Sequence, residues 1–151
     1  MEKIKIMLVD DEERFLTTTA KLLSRKGFDI ITAVSGEEAL EKLLSNDVHV
    51  VILDVKMPGM DGIKTLKSIK KLFPLTEVIM LTGHGTVETA VEGLRAGATD
   101  YLTKPTDIEE LIQKAQEAFG KRERLEEKIR MAEALRFMKS PREILEEDNF
   151  S

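Results

Sequence analysis

Five polar residues stand where apolar segments of the sequence end, and their types suit metal and phosphate chemistry. Asp10 and Asp11 follow the first apolar segment, Asp54 ends the third, Thr82 ends the fourth, and Lys104 follows the fifth. Three carboxylates brought together would repel one another unless a cation joined them. Oxygen ligands supplemented by water favour Mg2+ over zinc or copper. The residue types therefore predict a magnesium site, provided that the fold brings them together.

The lysine and the threonine point to a particular use of such a site, the transfer of a phosphoryl group. A bound metal and the Lys104 ammonium would neutralise the phosphoryl oxygens, where charge spreads during transfer. Asp54 would then act as the nucleophile and become an aspartyl phosphate. This chemistry needs no general base, because a carboxylate is ordinarily ionised at neutral pH.

The elements that must position these residues alternate between strand and helix patterns over the first 120 residues. Continuous apolar segments indicate strands that are buried on both faces, at residues 4–9, 28–33, 48–54, 77–81 and 99–102. Helical spacing of apolar residues indicates helices at residues 12–26, 36–44, 61–72 and 86–96, with a fifth opening at Thr106-Asp107 after Pro105. The pattern predicts an α/β fold, a (βα)5 parallel sheet with helices on both faces. Ligands of such sheets bind beyond the carboxyl ends of the strands, where the five polar residues would converge.

The fifth helix is expected to continue well past the sheet. Apolar residues recur at steps of three and four from Ile108 to Phe119 and again from Leu125 to Met138, and no proline interrupts the pattern before Pro141. Gly120 is the only weak point in the pattern. We therefore expect a domain that receives the phosphoryl group at residues 1–120, a helical extension or linker at 121–139, and a flexible tail at 140–151.

Composition excludes several classes of protein. The chain has 151 residues and no cysteine, which fits one domain in a reducing compartment and excludes disulfides and thiolate metal sites. The net charge is −5, and the acidic excess lies within residues 1–120, so direct binding of nucleic acid is not expected. No apolar segment is long enough to cross a bilayer, and the N-terminus does not resemble a signal peptide. We expect a cytoplasmic protein without a membrane partner.

Four ordered motifs resemble the receiver domains of two-component response regulators over about residues 3–120. They are Val-Asp10-Asp11-Glu, Leu-Asp54-Val-Lys-Met-Pro-Gly-Met-Asp-Gly, Leu-Thr82-Gly-His-Gly and Tyr101-Leu-Thr-Lys104-Pro105. The resemblance implies the flavodoxin-like, doubly wound strand order 2-1-3-4-5. The His-Gly-Thr and Ala-Gly-Ala-Thr-Asp-Tyr-Leu segments look most like receivers of NtrC-type AAA+ transcription activators.

The resemblance also implies a role for each matching residue. Asp54 would accept the phosphoryl group, and Mg2+ would be bound by the side chains of Asp11 and Asp54, by Asp10 through water, and by the backbone carbonyl of Lys56. Lys104 would pair with the phosphate, and its bond to Pro105 is expected to be cis. Thr82 and Tyr101 would move inward together as the switch, and Lys56 and His84 would tune the lifetime of the phosphate.

The implied protein is a phosphoacceptor rather than an enzyme, although it would autophosphorylate from small phosphodonors and dephosphorylate itself. Its phosphoryl donor would be a sensor histidine kinase or a phosphotransfer protein. A homodimer is expected, either through the face formed by the fourth helix, fifth strand and fifth helix or through the extended helix. An output domain absent from this chain would receive the signal, and control of transcription is one output that the resemblance allows.

Two alternatives and several simpler interpretations remain at this point. A flavodoxin-like redox protein would need a small-residue loop after the first strand to hold the flavin phosphate, and the acidic residues 10–13 would repel it. A pseudo-receiver would act as an interaction module without phosphorylation, and the complete set of acceptor, acids and lysine argues against that reading. Asp10 and Asp11 alone could cap a helix, Asp54 could belong to a turn, and His49 has no expected role.

Overall fold

Strands and helices alternate along the whole described chain. A computed structural model describes residues 3–55, 61–83, 87–138 and 141–143. The strands are β1 (Lys5–Val9), β2 (Asp29–Ala33), β3 (Val50–Asp54), β4 (Glu77–Thr82) and β5 (Asp100–Thr103). The helices are α1 (Glu13–Arg25), α2 (Gly36–Ser45), α3 (Gly62–Leu72), α4 (Val87–Arg95) and α5 (Ile108–Phe137).

The five strands form one parallel sheet in the order β2-β1-β3-β4-β5, so the predicted fold is confirmed. Strands β1 and β3 are neighbours, and Val9 pairs with Leu53 in their register. Strands β3 and β4 are also neighbours, and Asp54 pairs with Leu81. The carboxyl ends of β1, β3 and β4 therefore lie side by side at one edge of the sheet, which we call the carboxyl edge.

Helices cover both faces of the sheet, which explains why the strands read as continuous apolar segments. Val51 and Leu53 of β3 belong to one core cluster, which includes Leu43 of α2 and Leu66 of α3. The alternate residues of β3 belong to the opposite cluster with α1 and α5 side chains. Each large apolar side chain buried in this way contributes about 1.5–3 kcal/mol. The sheet is thus a rigid base for residues at its carboxyl edge.

Local sequence signals set the ends of several helices. The Ser35 hydroxyl accepts a hydrogen bond from the Glu38 N–H at 3.1 Å, and the Asp61 carboxylate accepts one from the Ile63 N–H at 2.9 Å. Gly27 and Gly97 follow α1 and α4 with φ values of +97° and +108°. Glycine adopts this left-handed conformation without steric cost, so both chain reversals depend on it.

Helix α5 has 30 residues and spans about 45 Å, as its apolar pattern predicts, and Gly120 does not interrupt it. Arg122 is the last buried residue of the helix and is 7% exposed. Its guanidinium donates to the Val48 carbonyl oxygen at 2.5 Å, to Asp47 at 2.9 Å and to Glu126 at 2.7 Å. Arg122 therefore attaches α5 to the edge of the sheet opposite the carboxyl edge.

The part of α5 beyond Arg122 extends from the sheet. Its apolar side chains are at least partly exposed, from Leu125 at 37% and Ile129 at 38% to Phe137 at 90%. Within the described ranges, each helix is too short or too polar to cross a membrane.

Candidate functional site

Backbone hydrogen bonding fixes the position of Asp10, the first residue after β1. Its N–H donates to the Ala33 carbonyl oxygen at 3.1 Å, which extends the pairing of β1 with β2 by one residue. The Asp10 carboxylate accepts a hydrogen bond from the Glu12 N–H at 2.9 Å, just before α1 begins. Asp10 is 1% exposed, whereas Asp11 is exposed to solvent. The turn between β1 and α1 thus presents one buried and one accessible carboxylate at the carboxyl edge.

Asp54 is the last residue of β3 and is 6% exposed. The chain returns close to it at Gly62, whose N–H donates to the Val55 carbonyl oxygen at 3.2 Å. A Cβ atom built on Gly62 would lie 2.5 Å from both the Cα and the carbonyl oxygen of Val55, which no side chain can do without a backbone shift. Gly62 is therefore required for this close approach. Gly62 ends the motif that begins at Leu53-Asp54, and the motif alone does not reveal this role.

The carboxylates of Asp10, Asp11 and Asp54 converge as predicted. One oxygen from each lies within 4.8 Å of those of the other two. These are hard oxygen donors, two of them buried and one open to water, which is the ligand chemistry that Mg2+ prefers. The residues present therefore fit a magnesium ion.

Lys104 reaches the same cluster from β5. Its N–H donates to the Thr82 carbonyl oxygen at 2.7 Å, and its bond to Pro105 is cis, as the resemblance implied. The ammonium nitrogen lies 2.5 Å from Asp10, 3.5 Å from Glu12 and 4.0 Å from Asp54. Lys104 is thus a positive charge placed among the carboxylates.

The pKa of Lys104 reflects two opposing effects. Burial favours the neutral amine, but the hydrogen bond to Asp10 and the charges of Asp10, Asp54 and Glu12 outweigh burial and raise the pKa above its usual value. The ammonium form is therefore the one present at neutral pH, as phosphate pairing requires.

Two neighbours of Lys104 were missed by the sequence analysis. The first is Glu12, whose carboxylate is close to the ammonium but largely exposed. The second is Phe15 of α1, whose ring centroid lies 4.3 Å from the ammonium nitrogen. The acidic neighbourhood gave a signal for Glu12. Phe15 looked like an ordinary apolar residue of α1, and only the packing of α1 beside α5 reveals its contact with Lys104.

Thr82 and Tyr101 lie on the β4 and β5 strands beside this cluster. Thr82 ends β4, is 1% exposed and pairs with Thr103 in the register of the two strands. Tyr101 pairs with Met80, and its ring packs against the core cluster that contains Met80. Its hydroxyl group is buried and has no hydrogen-bond partner within the described ranges.

Lys56 and His84, the two residues expected to tune phosphate lifetime, lie outside the described residues. The structure thus brings together the side chains of Asp10, Asp11, Asp54 and Lys104, with Thr82 at the end of the adjoining strand.

Comparisons with known proteins agree with this site. The family model for the response regulator receiver domain matches residues 6–116. The transcriptional regulatory protein ZraR of Salmonella typhimurium is 42% identical over 118 residues, which cover 78% of this chain and 27% of that protein. A putative NtrX-like response regulator of Rickettsia bellii is 41% identical over 114 residues, which cover 74% of this chain and 24% of that protein. The chain thus spans about a quarter of the length of these curated relatives.

Solved structures show the same fold. A CheY-like receiver domain protein from Methanospirillum hungatei superposes with a TM-score of 0.78 at 31% identity, covering 82% of this chain and 98% of that one. NtrX from Brucella abortus superposes with a TM-score of 0.80 at 33% identity, covering 86% of this chain and 30% of that one. These matches do not favour the flavodoxin-like alternative. With its fold, its carboxylate cluster and these relatives in agreement, the chain belongs to the receiver domain family of two-component response regulators.

Proposed function

We propose that this receiver domain accepts a phosphoryl group on Asp54 in a Mg2+-dependent reaction. The observation that carries the proposal is the placement of Asp54, which is buried at the end of β3 with its carboxylate 4.0 Å from the Lys104 ammonium. Asp10, Asp11 and Asp54 would hold the ion. When bound, Mg2+ supplies positive charge that offsets the charge of the phosphoryl oxygens.

Two side chains, Asp54 and Lys104, carry out the other steps of phosphoryl transfer. A carboxylate oxygen of Asp54 attacks phosphorus, an oxygen–phosphorus bond forms, and the bond from phosphorus to the donor breaks. Lys104 neutralises the transferred group, for which its ammonium turns from Asp10 toward Asp54. The buried position of Asp54 limits the approach of water and favours a defined donor geometry.

The switch would consist of Thr82 and Tyr101. Thr82 stands at the end of the strand next to β3, where its hydroxyl can donate to a phosphoryl oxygen on Asp54. The Tyr101 hydroxyl is buried and has no hydrogen-bond partner among the described residues, which supports an inward position of that ring. Phosphorylation would thereby stabilise one arrangement of the face formed by α4, β5 and α5.

The partners follow from the same proposal. The donor would be a sensor histidine kinase or a phosphotransfer protein, and autophosphorylation from small phosphodonors and self-dephosphorylation would accompany it. The matched segments make up only about a quarter of relatives that include one named a transcriptional regulatory protein, which supports an output domain absent from this chain and a linker at residues 121–139. The exposed apolar residues of α5 beyond Arg122 support a homodimer through this helix, with the α4–β5–α5 face as the alternative.

Acetyl phosphate with Mg2+ tests the acceptor directly. Intact mass measurement should show one added phosphoryl group on the wild type and none on Asp54→Asn or Asp54→Ala. Asp47→Asn, at the opposite edge of the sheet, is the matched control and should be labelled like the wild type. Thr82→Ala should still be labelled but should change the α4–β5–α5 face less on phosphorylation.

Two outcomes would overturn the proposal. Stoichiometric labelling of Asp54→Ala would place the acceptor elsewhere. A wild type that binds Mg2+ but takes no phosphoryl group and no beryllofluoride would favour the pseudo-receiver.

A further inference from the structure

The ring of Phe15 contacts the lysine of the proposed phosphorylation site. Its centroid is 4.3 Å from the Lys104 ammonium nitrogen, within the distance at which a cation is attracted to the electron-rich face of an aromatic ring. Phe15 is not a candidate ligand or acceptor, and the chemistry described above does not use it.

The surroundings of the ammonium show what the ring adds. Carboxylates of Asp10, Glu12 and Asp54 lie at 2.5, 3.5 and 4.0 Å. The ammonium donates a hydrogen bond to Asp10, and the carboxylates of Glu12 and Asp54 attract it by charge, so it can turn from one carboxylate to another. The ring offers no hydrogen bond, so it can retain the ammonium while its hydrogen-bond partner changes.

Phe15 is itself held in place. It lies in the first turn of α1, directly after the acidic residues, and packs against the core cluster shared by α1 and α5. Lys104, by contrast, follows β5 and has a long flexible side chain that is costly to order. A fixed aromatic surface beside a mobile ammonium lowers that cost before any phosphoryl group arrives.

We propose that Phe15 is a positioning residue for phosphoryl transfer, whose ring face retains the Lys104 ammonium at the carboxylate cluster while the ammonium turns from Asp10 to the phosphoryl group. This inference rests on the proposed function of Asp54 and Lys104. It makes the electron density of one aromatic ring a determinant of phosphate affinity.

The experiment lowers the electron density of the Phe15 ring and keeps the shape of the ring. Phe15 is replaced by mono-, di- and trifluorophenylalanine through genetic code expansion, and by leucine and tyrosine. Affinity for beryllofluoride in saturating Mg2+ and the rate of labelling by acetyl phosphate are measured for each variant. We expect affinity to fall stepwise with fluorination, Phe15→Leu to bind roughly two- to tenfold more weakly, and Phe15→Tyr to stay near the wild type.

Two controls separate this effect from packing. Phe119 contacts the His49 ring at the opposite edge of the sheet, with centroids 4.9 Å apart, and its fluorination should leave beryllofluoride affinity unchanged. In a Lys104→Met background, fluorination of Phe15 should also have no effect. Urea unfolding of every variant reports any loss of stability separately.

The outcomes distinguish this inference from the proposed function. If the wild type binds beryllofluoride and accepts phosphoryl groups but affinity is independent of fluorination, the role of Phe15 is overturned and the function of Asp54 stands. Equal fluorine effects with and without the Lys104 ammonium would likewise overturn it. Failure of the wild type itself to bind beryllofluoride would instead overturn the proposed function.

Discussion

The ammonium nitrogen of Lys104 lies 2.5 Å from Asp10 and 4.0 Å from Asp54. Lys104 thus lies closer to Asp10, a proposed metal ligand, than to Asp54, the proposed acceptor. Because a divalent cation would bind the same carboxylates, the ammonium and the cation oppose each other there. The phosphoryl group would relieve this competition by offering Lys104 new oxygens.

Lys104→Met should therefore change the binding of metal and phosphate in opposite directions. Removal of the ammonium leaves the three carboxylates without their positive neighbour, so Mg2+ should bind several-fold more tightly. Beryllofluoride should bind at least about tenfold more weakly, because a charge-assisted hydrogen bond to the anion is lost. Isothermal titration calorimetry measures both affinities.

Lys104→Arg is the matched control for charge, and its Mg2+ affinity should stay closer to the wild type. Weaker Mg2+ binding in Lys104→Met would show that the lysine supports the metal site rather than competing with it.

Gly62→Ala should destabilise the fold by about 1–3 kcal/mol, because its Cβ would overlap the backbone of Val55. Labelling by acetyl phosphate should slow as well, since Val55 adjoins Asp54. Gly120→Ala is the contrasting substitution, because its Cβ would meet only the end of the Arg124 side chain at 3.3 Å. In the interior of α5 it should stabilise by about 0.5–1 kcal/mol. Urea unfolding followed by circular dichroism would contradict this account if both variants changed alike.

Tyr101→Phe should stabilise the unphosphorylated protein by about 1 kcal/mol. The phenolic hydroxyl is buried without a partner in the described part of the chain, and an unmade hydrogen bond of this kind costs free energy. Urea unfolding of the two proteins in Mg2+-free buffer measures the difference. A loss of stability would mean that the hydroxyl makes a hydrogen bond in solution. Tyr101→Leu, which also removes the packed ring, should destabilise.

Arg122→Ala should destabilise by about 2 kcal/mol, because it removes the charge-assisted hydrogen bonds to the Val48 carbonyl oxygen and to Asp47 and leaves the Thr76 hydroxyl as the other donor to Val48. Hydrogen exchange should also quicken in α5 beyond residue 122, where the helix loses its attachment to the sheet. Arg130→Ala is the control on the same helix. Arg130 is exposed and pairs with Glu126 and Glu127, so its loss should change stability by less than about 0.5 kcal/mol. Similar effects of the two substitutions would contradict the attachment.

The fold and the carboxylate cluster were predictable because they depend on periodicity and on strand ends. Asp10 and Asp54 were placed together by the rule that parallel strands end at one edge, and the sheet order came from the resemblance. The sequence did not predict the contacts of Gly62, Phe15 and Arg122. Each depends on the distance between segments remote in sequence, such as Phe15 with Lys104, and a single apolar or charged residue on a helix does not reveal its long-range partner. Arg122 read as one member of an ordinary charged helix surface.

Because Arg122 attaches α5 to the sheet, a small rotation of the helix at this point produces a larger movement at its C-terminal end. Val48, whose carbonyl oxygen accepts the hydrogen bond from Arg122, lies two residues before β3, and Asp54 is the last residue of β3. From Arg122 to Phe137 the helix projects about 22 Å beyond its support. A tilt of about 10° at the support would move the far end by about 4 Å, roughly the diameter of a methyl group. A displacement too small to disturb the core near the support would thus be large enough at the tip to break or form a packed contact with whatever the helix meets there.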